Sequence, residues 1–188
     1  GGLGGVVCYQ VRESDSGWAF GRITPVGAQL VGSRMDRISF WDDRRQWFKS
    51  SAGSDVKQTP GQGGFCAAAI TCQTPTVVAD ARSSAQFARH PMVVGPPGIR
   101  LYAGAPLTTV DGHNLGTICV MDTKPRDLSD EEVAVLADLA GLVMDQLDQR
   151  MSRVQLTESE RMRREESRHA QGMGGVELVK SKSAGQTP

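Results

Sequence analysis

The 188-residue chain lacks an excess of either charge: Lys and Arg total 21, and so do Asp and Glu. Gripping nucleic acid or an anionic bilayer calls for a basic surplus, so neither is expected as a partner. Aromatic residues are sparse, at 5%. The four cysteines, Cys8, Cys66, Cys72 and Cys119, stand apart, with no CxxC and no dense framework. A core of this size can hold without disulfides, so reduced thiols and a cytoplasmic setting are expected. No apolar run is long enough to span a bilayer; the best, residues 134–144, is short and carries Asp138. No Walker-type loop is present, because the glycine-rich residues 1–5 lack its lysine and its strand-to-helix setting. His90, His113 and His169 show no metal-ligand spacing, and no metal is expected. The chain begins with Gly rather than Met, which leaves an upstream segment open.

What is present suits a globular domain: 39% hydrophobic and 22% charged residues. Residues 1–17 are glycine-rich; Val6 to Val11 reads either as a short strand or as an irregular segment. Residues 19–31 carry a weak helical pattern, but Pro25 and Gly27 argue against a long helix. Residues 37–40 and 46–50 alternate like the strands of a hairpin around the polar turn at Asp42. Residues 51–64 read as a loop, and residues 65–71 (FCAAAIT) as a short buried helix. A short strand is expected at 76–79, and a short helix at 83–89 from the capping-box spacing of Ser83 and Gln86. Residues 99–105 and 115–121 alternate on either side of Asp111-Gly112, which favours the tight turn of a second hairpin. A long helix follows. Ser129 and Glu132 form a capping box, Leu128 and Val133 stand at staple positions, and Asp130 to Glu132 complement the helix dipole. Its apolar stripe runs from Val133 through Leu147 to Val154, broken at Arg150. The Glu160–Arg164 and Arg161–Glu165 pairs extend the helix toward Ala170, and Gly172, Gly174 and Gly175 are expected to end it.

Strand pairs with helices at both ends mean an α+β fold, and the order of elements, with its words, resembles the GAF family. The resemblance is carried by RISFWDDRRQWFKS (residues 37–50), GGFCAAAI (63–70), VVADARSSAQFARHPMV (77–93) and IRLYAGAPLTTVDGHNLGTICVMDTKPRDLSDEEVAVL (99–136). It implies a single antiparallel sheet of about six strands, with terminal helices on one face and short helices and loops covering a pocket on the other. It implies a regulatory sensor module in signal transduction, without catalytic activity of its own. Such a module binds a small ligand or senses redox state, and passes the signal through its terminal helices to a kinase, cyclase or regulator. It further implies a homodimer through the C-terminal helix, with a histidine kinase or diguanylate cyclase as output partner. The domain organisation expected is an irregular segment (1–17), the GAF domain (18–150), a helical extension (151–171) and a flexible tail (172–188). Two branches of the family fit poorly. The cyclic-nucleotide branch uses an Asn-Lys…Phe…Asp-Glu motif, whereas Asn114 is the single Asn here. The bilin branch uses Cys followed by His, whereas Cys66 precedes Ala67 and Cys119 precedes Val120.

The candidate ligand-binding residues are Phe65, Cys66, Phe87, Arg100 and Tyr102. Arg100 and Tyr102 are expected to share a strand face opposite Ile99 and Leu101, where Arg offers an anion fork and Tyr a ring and hydroxyl; a salt bridge and core packing are the plainer roles. Met92 belongs beside the same cavity. Cys66 and Cys72 form a candidate redox pair, since Cys66 lies near the start of a short helix, which lowers a thiol's pKa. The free methionine sulfoxide reductases, another GAF branch, use cysteines in this general region, although the sequence around them is not matched here. As small hydrophobes, Cys66 and Cys119 also suit plain burial.

Overall fold

The computed structural model describes residues 18–41, 45–52, 58–60 and 64–182. The expected short strand at Val6 to Val11 and the Asp42 turn lie outside them. In chain order the elements are α1 (Trp18–Val31), β1 (Met35–Trp41), β2 (Arg45–Ala52), β3 (Gln58–Pro60), α2 (Phe65–Ala69), β4 (Thr76–Val78), α3 (Pro91–Val94), β5 (Leu101–Thr108), β6 (Asn114–Asp122) and α4 (Asp130–Lys182). The chain divides into two compact units, Gly1–Asp148 and Gln149–Pro188.

Six strands form one sheet in the order β3-β2-β1-β6-β5-β4, and every pair is antiparallel. The β5–β6 hairpin closes where Asp-Gly predicts, with Gly112 at φ 85° and its N–H donating to the Thr109 carbonyl. Near that end Leu107 pairs with Gly116 and Thr108 with Asn114. Leu115 is therefore the extra residue of a bulge. The bulge turns Leu115 onto the face of Ile118 and Val120, whereas strict alternation puts it with Cys119 and Met121.

One face is apolar. Phe20 and Val31 of α1, Ile38 and Phe40 of β1, Ala103, Ala105 and Leu107 of β5, and Leu136, Val143 and Leu147 of α4 share a core there. Pro25 is tolerated inside α1. The anchors Phe20 and Val31, on either side of it, hold the helix down at a cost of about 3 kcal/mol for an interior proline. Gly27 lets the helix sit close to β1, because a Cβ there would lie 2.2 Å from an Asp36 carboxylate oxygen. The capping box forms as the spacing predicts. Ser129 N–H donates to Glu132 Oε2 at 2.9 Å and Glu132 N–H to Ser129 Oγ at 3.2 Å. Arg126 ties this helix start to α1, donating to Glu132 Oε1 at 2.7 Å and to the Val31 carbonyl.

Four expectations need correction. Residues 58–60 are a strand at the sheet edge, although Gln-Thr-Pro shows no alternation; proline belongs on edges, where a missing N–H breaks no central ladder. Residues 83–89 are turns rather than a helix. The helix comes later, at Pro91–Val94, where proline suits the first turn and His90 Nδ1 accepts from Met92 N–H. Residue 99 precedes the strand, so Ile99 packs with Tyr102 and not opposite it. Finally, α4 continues to Lys182, past Gly172, Gly174 and Gly175; glycine lowers helix propensity by about 1 kcal/mol without forbidding the conformation. Residues 172–182 are thus helical. In the second unit, Arg161 pairs with Glu158 and Glu165, and Arg164 with Glu160, on exposed helix surface.

Gly116 faces the backbone of β1: a Cβ there would lie 2.0 Å from the Ser39 carbonyl oxygen. Gly116→Ala is expected to lower stability by about 2 kcal/mol, read as a reduced urea midpoint at unchanged slope.

Candidate functional site

The opposite face of the sheet differs in chemistry. Helix α2 and the turns and short helix of residues 79–95 bring Phe65, Cys66, Ala69, Phe87 and Val93 against Met35, Tyr102, Cys119 and Met121. Phe65 is the centre of a ring cluster. Its centroid lies 4.4 Å from Phe87 and 5.0 Å from Tyr102, both stacked, and 5.2 Å from His90. These rings fill the space between α2 and the sheet. Tyr102 lies back over its own strand, above Gly104, where a Cβ would meet its hydroxyl at 2.3 Å.

Beside the rings the strands bury polar side chains. The β1–β6 register sets Arg37 opposite Cys119 and Ser39 opposite Thr117. Arg37, Ser39, Gln46 and Thr117 are all buried. Ser39 Oγ and Thr117 Oγ1 are 2.9 Å apart, and Gln46 Nε2 donates to Ser39 Oγ at 2.9 Å. Arg37 lies over the Phe48 ring at 4.6 Å. Two buried groups on this face, Arg37 Nε and Trp41 Nε1, have no partner of hydrogen-bond geometry among the described residues, whereas Tyr102 Oη lies against the thiols of Cys66 and Cys119. Buried polar groups normally find a partner, and both of these nitrogens can donate.

Two thiols complete the site. Cys66 Sγ and Cys119 Sγ are 3.5 Å apart and both are buried. The contact with Cys119 lowers the Cys66 pKa to about 6, against the opposing effect of burial, with Tyr102, Gln46 and Thr117 also favouring its thiolate. The contact with Cys66, and then burial, push Cys119 well above the ordinary thiol range. Burial and the neighbouring sulfurs likewise raise Tyr102 well above the usual phenol value. Burial lowers the pKa of His90, which is half-buried beside Phe65 and not on open surface.

Four of the five candidate residues therefore gather: Phe65, Cys66, Phe87 and Tyr102. Arg100 does not join them. Its Nη1 donates to the carbonyls of Val93 and Ile99, at 3.0 and 2.8 Å, which fastens α3 to the start of β5. The candidate partner Cys72 does not face Cys66: Cys66 lies against Cys119, while Cys72 Sγ donates to the Ala68 carbonyl at 3.6 Å. Met92 is half-buried against the ring cluster. Sequence reasoning passed over Arg37, Ser39, Gln46 and Thr117, although polar residues inside apolar strands were the signal. Asn114, noted in the sequence only as the single Asn, has a structural role as well. The Asn114 side chain donates to the carbonyls of Ile70 and Cys72, at 2.7 and 2.8 Å, and so pins the end of the α2 segment to the hairpin. A separate cleft of about 380 Å³ lies on the helix face, bounded by Pro106, Val110, Met144 and Asp145. Among the described residues no cluster of His, Cys, Asp and Glu is suited to a metal.

A six-stranded antiparallel sheet with terminal helices on one face and a short-helix cover on the other is the architecture the resemblance implied. The profile of the GAF domain matches residues 9–147. The chain belongs to the GAF domain family. Over 133 residues this GAF domain is 43% identical to a protein of Pseudomonas aeruginosa named cyclic di-GMP phosphodiesterase PA2567. The match covers 70% of this chain and 23% of that relative, so the chain spans under a quarter of its length. Among solved structures, the PixJ GAF domain of Thermosynechococcus elongatus, in its blue-light absorbing form, superposes with a TM-score of 0.61 at 16% identity, covering 75% of this chain and 89% of that one. A type II free methionine-R-sulfoxide reductase of Thermoplasma acidophilum does so with a TM-score of 0.58 at 15% identity, covering 72% and 96%. At such identities these structures share the fold. Among the described residues no helix is long and apolar enough to cross a membrane.

The Cys66 pKa carries a sign that can be checked. A depressed thiol pKa favours the fold above the unfolded thiol's value, near about 8.5, and loses that benefit as pH falls through about 6. Thiolate ultraviolet absorbance of the native protein is expected to rise through about pH 6, and Cys66→Ser is expected to abolish that step.

Proposed function

We propose that this GAF domain is the sensing part of a signalling protein, taking a small acceptor-bearing ligand on the sheet face beneath α2. The observation that carries this reading is the pair of buried donors, Arg37 Nε and Trp41 Nε1, each without a partner among the described residues, on the face that also carries the Tyr102 hydroxyl. A carboxylate or carbonyl compound would satisfy them, and burial would strengthen each bond. Phe65 and Phe87 fill the adjoining space, so entry requires the ring stack to part. Candidate contacts are Phe65, Cys66, Phe87 and Tyr102; Arg100 acts indirectly, by holding α3.

A ligand can shift a conformational equilibrium only by its differential affinity for the two states. Movement of α2 would reach β6 through Cys119 and the loop after α2 through Asn114, and from β6 would reach α1 and α4 through the shared core. The Arg126 bonds to Val31 and Glu132 join those two helices and support them as the output. The output enzyme would be a phosphodiesterase, as in the Pseudomonas relative, or a histidine kinase or diguanylate cyclase. Residues 149–182 of α4 would pair with a second subunit, giving a homodimer.

A second reading has its own support: the ring stack already fills the space under α2, as expected of a module that only dimerises. Native mass spectrometry of the purified protein separates the two. A small molecule released on denaturation, and lost in Tyr102→Phe, is the expected result. A dimer without added mass, unchanged on incubation with small carboxylic acids, would favour the ligand-free module.

A further inference from the structure

We propose that Cys66 and Cys119 are a reversible dithiol–disulfide pair, closed by hydrogen peroxide or another hydroperoxide, and that its closure is a second input to the face beneath α2. The sulfurs are 3.5 Å apart, and a disulfide requires about 2 Å, so closure needs a shift of about 1.5 Å between α2 and β6. The two cysteines sit on unlike supports. Cys119 lies in a central strand, paired on both sides, opposite Arg37 and Gly104. Cys66 lies on a five-residue helix held by ring packing and by Asn114. The helix is therefore the part that moves, and it carries Phe65 with it.

The surroundings favour one order of events. Cys66 is the sulfur whose thiolate is stabilised, by its contacts with Cys119, Tyr102, Gln46 and Thr117, and the thiolate is the nucleophile. Its sulfur attacks one peroxide oxygen; an S–O bond forms, the O–O bond breaks, and hydroxide leaves to take a proton from solvent. Cys119 sulfur then attacks Cys66 sulfur. The S–S bond forms, the S–O bond breaks, and the second hydroxide departs as water with the Cys119 proton. Two thiol groups lose two electrons in all, and one peroxide gains them. Local opening of α2 admits the oxidant, since a helix this short can unfold without the sheet. Cys72 is outside the reaction, its thiol being turned to the Ala68 carbonyl.

Disulfide formation stands on the geometry alone; its role as an input rests on the sensing face proposed above. Peptide mapping of reduced wild-type protein, treated with equimolar hydrogen peroxide and alkylated before unfolding, reads the first without any ligand. The expected result is a Cys66–Cys119 linked peptide, loss of two thiols per chain, and recovery of both with dithiothreitol. Cys72→Ser is expected to react as wild type does, and Cys119→Ser to stop at a Cys66 sulfenic acid trapped by dimedone. Free Cys66 and Cys119 after treatment, or coupling of either to Cys72 or Cys8, would overturn the proposal. A linked pair in a protein that binds no small molecule would leave the disulfide standing and refute only the ligand.

Discussion

Strand β6 runs between β1 and β5, and its alternation decides what each face of the sheet can do. Arg37 meets Cys119 and Ser39 meets Thr117 on one side, while Ile38 meets Ile118 on the other. A slip of one residue would exchange the two sets. Gly116 and the bulge at Leu115 oppose such a slip. The glycine admits the β1 backbone where no other residue fits, and the bulge fixes Leu115 as the residue of β6 that goes unpaired. The apolar face then receives α1 and α4, and the mixed face receives α2.

The two faces are held by different physics. Burial of large aliphatic groups on the helix face is non-directional and supplies most of the stabilisation. The face under α2 buries hydroxyls, an amide, a guanidinium and two thiols, each costly without a partner. Its cover is short: α2 and α3 have five and four residues. They are fastened by a few specific bonds, from Asn114 to Ile70 and Cys72 and from Arg100 to Val93 and Ile99. A stable scaffold with a lightly fastened polar side is a reasonable form for a regulatory module, because regions that move must open below the global stability.

Most of the fold was legible in the sequence because its strongest signals are local. Alternation around Asp111-Gly112 gave the second hairpin, and Ser129 with Glu132 gave the start of α4. Residues 58–60 were illegible because an edge strand is defined by its neighbour, not by its own pattern. Residues 83–89 misled because a capping-box spacing over one turn cannot pay for a helix when Pro91 ends the segment. The candidate site was legible in its aromatic half, since Phe65, Phe87 and Tyr102 are plain in an aromatic-poor chain. Its polar half was not. Arg37, Ser39, Gln46 and Thr117 are scattered over 80 residues, and only the sheet register brings them together. The partner of Cys66 was hidden for the same reason: Cys119 is 53 residues away, whereas Cys72 is near in sequence and turned elsewhere.

The central claim is that the face beneath α2 is the one that opens. Native-state amide hydrogen exchange, read residue by residue, tests it most directly. The account predicts that residues 65–94 exchange through openings well below the global unfolding free energy, while the central strands β1, β5 and β6 exchange only by global unfolding. Protection of residues 65–94 equal to that of β6 would contradict it, and would leave this sheet with two structural faces and no sensing one.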